Sequence, residues 1–401
     1  MNGYLTESNF TMVEEGFTTR DLLENLLAEL CQERDQQASF FVADLGDIVQ
    51  KHLRFLKALP RVKPFFPVRC NGSEGVIRLL AELGASFACA NKAEISRVQS
   101  IGVPADRIFY SSPCKQVAHI RYAASQGVQL MTFDNEVELS KVARSHPHAR
   151  MLLGIAADSS PSAHPSMRFG TTLESCRYLL EAAKEQAVEV VGISFHLGSH
   201  GLEPQAFAQA LAAAQMAFEM GTEMGYHMHL LDIGGGFPGT EDSRARFEEM
   251  AAVINSALDS YFPEDCGVQV VATPGRYYVT SAFTLAASIT AREEVATEQP
   301  SSDGRASCIT SAMASTAPSA ASCLTAPAPG LSCTRPGPST SLRGPAGHSD
   351  ERVADGLDLP ELQVGDWLVF EDMGAYSIPS SSLPGGCPQP HVTYAMSRVA
   401  W

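Results

Sequence analysis

The chain has no excess of basic residues: 29 Lys and Arg stand against 45 Asp and Glu, which gives a net charge of −16. A nucleic-acid backbone is bound by basic surface, so this class of partner is not expected. A run of about 18 apolar residues is also missing, and no membrane span is expected. The first residues lack the basic-then-apolar order of a signal peptide, which predicts an intracellular, cytoplasmic protein.

Metal-binding spacing is missing as well. The ten cysteines are scattered and form none of the paired spacings that hold zinc, so no metal site is expected. In an intracellular protein most of them are expected to be thiols.

Apolar and amphipathic segments alternate in a chain of 401 residues, of which 45% are hydrophobic, and this is ample for two domains. Gly84, Gly102 and Gly127 each follow an amphipathic stretch and are expected to end helices. About eight strand–helix units favour a (β/α)8 barrel of the TIM type over a doubly wound sheet. The expected strands lie at 40–45, 65–68, 86–90, 107–110, 129–133, 151–155, 189–195, 228–233 and 269–272.

The domain organisation follows from changes of composition along the chain. Residues 38–285 are expected to form the barrel, and residues 1–37 to join a β domain. Residues 286–350 are rich in Ser, Ala, Thr, Pro and Gly and are expected to be disordered. Residues 351–401 then form the remnant of a C-terminal β domain, which is expected to be incomplete.

One run carries a family resemblance. Residues 64–71 read Pro-Phe-Phe-Pro-Val-Arg-Cys-Asn, which resembles the Pro-Phe-Tyr-Ala-Val-Lys-Cys-Asn segment of the ornithine decarboxylase and antizyme inhibitor family. The likeness covers residues 1–295 and 341–401, and residues 12–20 are most similar to the antizyme inhibitor branch. It implies a pyridoxal-phosphate barrel, a C-terminal β domain and a head-to-tail dimer. Further matching runs lie at 112–116, 131–139, 231–239, 274–283 and 372–376.

The phosphate-binding half of the family's cofactor site is retained. A glycine turn after a strand lets an anion approach the backbone closely, although such a turn also occurs without a ligand. The resemblance implies that the remaining cofactor contacts are His196, Ser199, Gly234, Gly235, Gly236, Arg276 and Tyr376.

The reactive half differs from the family pattern. Arg69 stands where the family has its Schiff-base lysine, and a permanently charged guanidinium cannot take that role. Ala88, Gly154 and Thr273 replace an aspartate, an arginine and the glutamate that pairs with the pyridinium nitrogen. No cofactor is therefore expected, although weak non-covalent binding of pyridoxal phosphate stays open.

The second half-site of the family is also altered. Gly347 stands where the resemblance places the catalytic cysteine, and His348 where it places the neighbouring aspartate. Codons for residues 314–325, shifted by one base, can encode the family's strand sequence, which suggests a frame-shifted stretch at 309–334. The small polar residues there are expected to weaken the β domain.

A mixed-charge surface remains as a candidate for partner binding. The resemblance implies that antizyme docks around residues 115–144, although the same pattern also fits an ordinary solvated helix face. The candidate contacts are Lys115, Gln116, Arg121, Tyr122, Glu136, Glu138, Lys141 and Arg144.

Three functions stay open at this point. The first is an inactive, antizyme-binding regulator that promotes polyamine synthesis, as a monomer or weak homodimer. The second is a pyridoxal-phosphate-dependent decarboxylase of the ornithine type that makes putrescine. The third is a non-functional relic.

Overall fold

The computed structural model describes residues 10–13, 18–30, 39–156, 170–198, 203–296, 305–311, 324–327, 340–344, 352–357, 359–378 and 390–397. Their contacts divide the chain into two compact units. One is Lys51–Tyr278, and the other joins Met1–Gln50 to Val279–Trp401. No helix in these ranges combines the length and apolar character needed to cross a membrane.

Strands and helices alternate through the first unit, and the elements of both units are numbered together along the chain. The strands are β1 (Phe10–Val13), β2 (Ser39–Asp44), β3 (Val62–Pro67), β4 (Ser86–Cys89), β5 (Ile108–Tyr110), β6 (Leu130–Phe133), β7 (Arg150–Ile155), β8 (Glu189–Phe195), β9 (Leu230–Asp232), β10 (Gln269–Ala272), β11 (Phe283–Ala296), β12 (Arg305–Ser311), β13 (Leu324–Pro327), β14 (Thr340–Arg343), β15 (Arg352–Leu357), β16 (Trp367–Phe370) and β17 (His391–Ser397). The helices are α1 (Thr19–Leu30), α2 (Leu45–Ala58), α3 (Glu74–Glu82), α4 (Lys92–Ser100), α5 (Val117–Ser125), α6 (Glu136–Ser145), α7 (Leu173–Glu185), α8 (Gln205–Glu223), α9 (Arg244–Tyr261) and α10 (Arg276–Val279).

The first unit is a closed barrel of parallel strands in the order β10-β3-β4-β5-β6-β7-β8-β9. This confirms the (β/α)8 fold expected from the sequence. Its interior is filled by apolar side chains from seven of the strands, which form one buried cluster. The cluster consists of Phe65, Ala88, Phe109, Leu152, Val191, Leu230 and Val271.

Local chemistry accounts for the ends of several helices. Asn91 caps α4 by accepting a hydrogen bond from the Glu94 amide, and Asn135 caps α6 by accepting one from the Glu138 amide. The glycines expected to stop helices have positive φ angles. These are 84° at Gly84, 99° at Gly102 and 76° at Gly127.

The second unit contains a nine-stranded sheet. Its main path is β1-β17-β2-β11-β12-β14-β15, and β16 pairs with both β11 and β13. Helix α1 covers one face, where Leu22, Leu23 and Leu27 join a buried cluster with Phe40 and Trp367. The separate β domain expected from the sequence is therefore present.

Two expectations need correction. Residues 40–45 were expected to begin the barrel, but β2 pairs with β11 and β17 in the second unit. An apolar pattern predicts that a strand is buried, but it does not say which sheet the strand joins. Disorder throughout 286–350 was also wrong, because β12, β13 and β14 lie there and Ile309 and Leu342 are buried. The exact domain limits stay a prediction.

Candidate functional site

The expected cofactor residues of the barrel lie at one rim, where the strands end. Arg69 follows β3, His196 follows β8, the glycines follow β9, and Thr273 and Arg276 follow β10. This is the rim that carries the active site in (β/α)8 enzymes. Tyr376 belongs to the second unit. Ser199, Gly347 and His348 lie outside the described residues.

The glycine loop after β9 requires residues without side chains. Gly234 and Gly236 have φ angles of 70° and 93°. A Cβ on Gly234 would lie 2.4 Å from the carbonyl oxygen of Phe195, and one on Gly235 would lie 2.7 Å from that of Thr273. The loop therefore exposes backbone instead of side chains, as a phosphate-binding turn does.

Asp232 anchors this loop, which the sequence reasoning missed. Its Oδ1 accepts a hydrogen bond of 2.9 Å from the Gly234 amide, and its Oδ2 accepts one of 2.8 Å from the Ser194 hydroxyl. Burial raises the pKa of this carboxyl to about 6, although both hydrogen bonds oppose the shift. Asp232 lies in the run 231–239 that resembles the family, but its role in holding the loop is visible only in the folded structure.

His196 presents a neutral ring beside the loop. Its Nδ1 accepts a hydrogen bond of 2.9 Å from the Gly198 amide, so that the proton of the neutral ring is on Nε2. Desolvation lowers the pKa of His196, although part of the residue is accessible to solvent. A Cβ on Gly235 would lie 3.6 Å from Nε2, which places the donor nitrogen next to the glycine loop.

Arg69 is exposed in the turn that follows β3. Pro67 ends the strand, and the Val68 amide donates a hydrogen bond of 3.0 Å to the carbonyl of Ala88, so that the barrel pairing continues past the proline. Proline lacks an amide donor, so Pro67 would fit poorly in the middle of a central strand. Its place at the strand end explains why it is tolerated.

Glu94 is a second rim residue that the sequence reasoning missed. Burial raises the pKa of Glu94, while a hydrogen bond of 2.6 Å from the Ala90 amide and the nearby charge of Arg69 act against this shift. Arg69 therefore lies close enough to Glu94 to favour its carboxylate form. In the sequence, Glu94 looked like an ordinary residue in the first turn of a helix.

The three other altered positions have distinct surroundings. Ala88 belongs to the apolar cluster inside the barrel. There is room for a side chain at Gly154, since an added Cβ would lie 3.6 Å from both the Asp134 Cβ and the Phe133 carbonyl oxygen. Thr273 donates its amide to the carbonyl of Gly234 at 2.7 Å and so supports the glycine loop through its backbone.

Pyridoxal phosphate, the cofactor that the resemblance implies, fits one half of this rim and not the other. The glycine loop offers the close backbone approach that a phosphate needs. Arg69, however, provides no amine for a bond to the aldehyde, and Thr273 has no carboxylate to hold a proton on the ring nitrogen. The residues therefore do not fit covalently bound pyridoxal phosphate. Among the described residues, no cluster of possible metal ligands occurs.

The candidate partner surface is only partly exposed. Gln116, Arg121, Glu136 and Arg144 are exposed, and Tyr122 and Lys141 are half-buried. Lys115 and Glu138 are each only 3% exposed, so the prediction that these two side chains contact a partner directly was wrong.

A buried ion pair explains the burial of these two residues. Lys115 Nζ lies 3.2 Å from Glu138 Oε2, and the Lys141 ammonium pairs with the same carboxylate. Burial lowers the pKa of Lys115, while the charge of Glu138 opposes that shift. A charge pattern in the sequence cannot distinguish such a pair from surface charges.

Known proteins resemble this chain over most of its length. The pyridoxal-binding domain of pyridoxal-dependent decarboxylases matches residues 45–280. The whole chain is 54% identical to antizyme inhibitor 2 of Xenopus laevis, of which it covers 90%. It is 48% identical to ornithine decarboxylase of Mus musculus, with 97% of this chain and 87% of that protein covered.

The solved structures agree with the sequence comparison. The arginine decarboxylase of Paramecium bursaria Chlorella virus has a TM-score of 0.83 and 29% identity, and the match covers 94% of this chain and all of that one. The chain therefore belongs to the pyridoxal-dependent decarboxylase family that includes ornithine decarboxylase and antizyme inhibitor 2.

Proposed function

We propose that this chain is a non-catalytic relative of ornithine decarboxylase that binds antizyme in the cytoplasm. By sequestering antizyme it would spare active decarboxylase and so promote polyamine synthesis. The observation that carries the proposal is Arg69, since it stands at the Schiff-base position in a barrel whose architecture is otherwise retained.

The loss at position 69 is chemical and not only steric. A covalent bond to an aldehyde needs a neutral amine. Lysine can supply one, because burial or a nearby positive charge lowers its pKa. Arginine remains protonated up to about pH 12, and its charge is delocalised over three nitrogens. Burial cannot remedy this, and Arg69 is in any case exposed.

The similarity to antizyme inhibitor 2 supports the choice of partner, because that protein is named for its action on antizyme. The exposed residues Gln116, Arg121, Glu136 and Arg144 give the barrel a surface of both charge signs. Such a surface favours correct orientation and rapid association with a charged partner. The oligomeric state proposed is a monomer or a weak homodimer.

A decarboxylase remains the second candidate because one half of the cofactor site is retained. The glycine loop, its anchor Asp232 and the neutral ring of His196 are all in place. These groups can orient a phosphate and a flat ring, but they offer no covalent attachment point. The decarboxylase therefore requires chemistry that the rim does not provide.

The proposal is tested with one purified preparation. Binding to immobilised antizyme is expected, together with no absorbance band near about 420 nm after pyridoxal phosphate is added, since that band belongs to an internal aldimine. A cooperative thermal transition should accompany both results, because it distinguishes a folded regulator from a relic. Lack of antizyme binding by a cooperatively folded sample would reject the proposed function.

A further inference from the structure

Lys51 on α2 carries a buried ammonium group to which the sequence reasoning gave no role. The residue is 2% exposed, and its Nζ donates hydrogen bonds to the carbonyls of Gly239, at 2.5 Å, and Tyr277, at 3.4 Å. Nζ also lies 3.9 Å from Glu241 Oε1 and 5.5 Å from the centre of the Tyr277 ring. Because a buried charge is costly without such partners, these contacts fix the position of the ammonium group.

The two carbonyl groups belong to the two arms of the phosphate-binding half of the rim. Gly239 ends the run that begins with the glycine loop. Tyr277 directly follows Arg276 in α10, and its hydroxyl donates a hydrogen bond of 3.0 Å to the Lys51 carbonyl. One residue of α2 therefore connects the glycine-loop arm with the arm that carries the arginine.

Neighbours of Lys51 on α2 contact the same two arms. Nδ1 of the buried His52 lies 2.8 Å from the Tyr278 hydroxyl. The ring of Phe55, one helical turn after Lys51, packs edge-on against Phe237 at a centroid distance of 5.8 Å. Close packing and hydrogen bonds thus hold both arms against one helix, and Lys51 is the residue of α2 that contacts both.

We infer that Lys51 is a positioning residue for a phosphate group bound between the glycine loop and Arg276. The inference uses the phosphate-binding half of the rim and does not depend on antizyme binding. Backbone amides and a guanidinium bind an anion best when they are already oriented, because ordering them on binding opposes association. Lys51 acts through the two arms, since its Nζ donates to their carbonyls.

A second cation of the barrel unit provides a control for general stabilisation. Arg107 is half-buried, and its Nη2 donates hydrogen bonds to the carbonyls of Ala81, at 2.9 Å, and Ala85, at 2.5 Å. It precedes β5, whereas the rim lies where the strands end. A cation that only stabilises the fold should affect ligand binding no more than Arg107 does.

The test uses pyridoxamine phosphate, which carries a phosphate but no aldehyde and so forms no covalent bond with an amine. Equilibrium titration of the unaltered chain should show binding that inorganic phosphate competes with, and pyridoxamine without phosphate should not bind. K51M is expected to weaken the binding about tenfold, as loss of a charge-assisted hydrogen bond that orders a site does. R107M should bind as tightly as the unaltered chain.

A second measurement follows the order of the loop itself. Exchange of the backbone amide hydrogens of residues 234–239 should be faster in K51M than in the unaltered chain, and unchanged in R107M. Y277F is the milder variant, because it removes the hydroxyl that donates to the Lys51 carbonyl and keeps the ring. It should weaken the binding of pyridoxamine phosphate severalfold.

Each outcome decides the inference. It is overturned if the unaltered chain does not bind pyridoxamine phosphate, or if K51M binds it equally well. It is also overturned if R107M weakens the binding as much as K51M, since the effect would then be one of general stability. Should K51M lose its cooperative unfolding transition, an unchanged affinity of Y277F overturns it. None of these results bears on antizyme binding, so the proposed function is tested separately.

Discussion

The buried carboxylate of Asp232 accepts a hydrogen bond from the amide of Gly234, 2.9 Å away. This contact links the end of strand β9 to the loop that would face a phosphate. The glycine loop is therefore supported by a buried side chain, in a chain that has arginine at position 69.

The Asp232 anchor predicts a pH-dependent stability. Its pKa is raised from 3.8 to about 6 in the folded chain. Because the folded state holds the proton more tightly, protonation of Asp232 stabilises the fold. This stabilisation is complete below about pH 4 and is lost as the pH rises through about 6. We expect its loss to lower the free energy of unfolding by about 3 kcal/mol across that range.

Asp232→Asn should remove this part of the pH dependence, because the amide does not ionise. Urea unfolding of both proteins between pH 4 and 7.5 measures the difference. Asp106→Asn is the control, since Asp106 is exposed and its replacement should leave the curve parallel to that of the unaltered chain. Parallel curves for Asp232→Asn would contradict the assignment.

A second prediction concerns crowding around the glycine loop. Gly234→Ala places a Cβ 2.4 Å from the Phe195 carbonyl at a φ of 70°. Gly267→Ala introduces a similar φ strain at 75° but meets nothing within 4 Å. We expect Gly267→Ala to cost about 1 kcal/mol of unfolding free energy and Gly234→Ala at least about 2 kcal/mol more. Equal losses in urea titrations would show that the loop is not crowded.

A third prediction separates attachment of the cofactor from catalysis. Arg69→Lys restores an amine at a rim that keeps the glycine loop, so incubation with pyridoxal phosphate and borohydride should label residue 69. The variant should remain inactive, since Thr273 cannot hold a protonated ring nitrogen. Peptide mass measurement gives the label, and Arg69→Met is the unlabelled control. Absence of the label in a folded Arg69→Lys sample would mean that the cofactor no longer enters the site.

Local signals in the sequence predicted much of the barrel. Gly84, Gly102 and Gly127 marked helix ends, because the left-handed backbone conformation that ends a helix favours glycine. This preference is local and does not depend on the surrounding fold. The glycine loop and Arg69 came to one rim because the strands of a parallel barrel all end on the same side. These features depend on short-range geometry and on fold class.

Features that depend on tertiary placement were harder to predict. The apolar run of β2 did not reveal that it pairs with β11 and β17. Lys115 and Glu138 were read as surface charges, because burial of an ion pair depends on the contact between two distant segments. Sequence reasoning also gave no role to Asp232 or Glu94, whose environments arise only when neighbouring loops meet.

The most direct test of the central claim is the release of carbon dioxide from ornithine. The purified chain is assayed with added pyridoxal phosphate, beside an active ornithine decarboxylase as the positive control. Because position 69 is an arginine, the chain should release no more carbon dioxide than buffer does. Release that rises with the amount of pure, homogeneous chain would contradict the account.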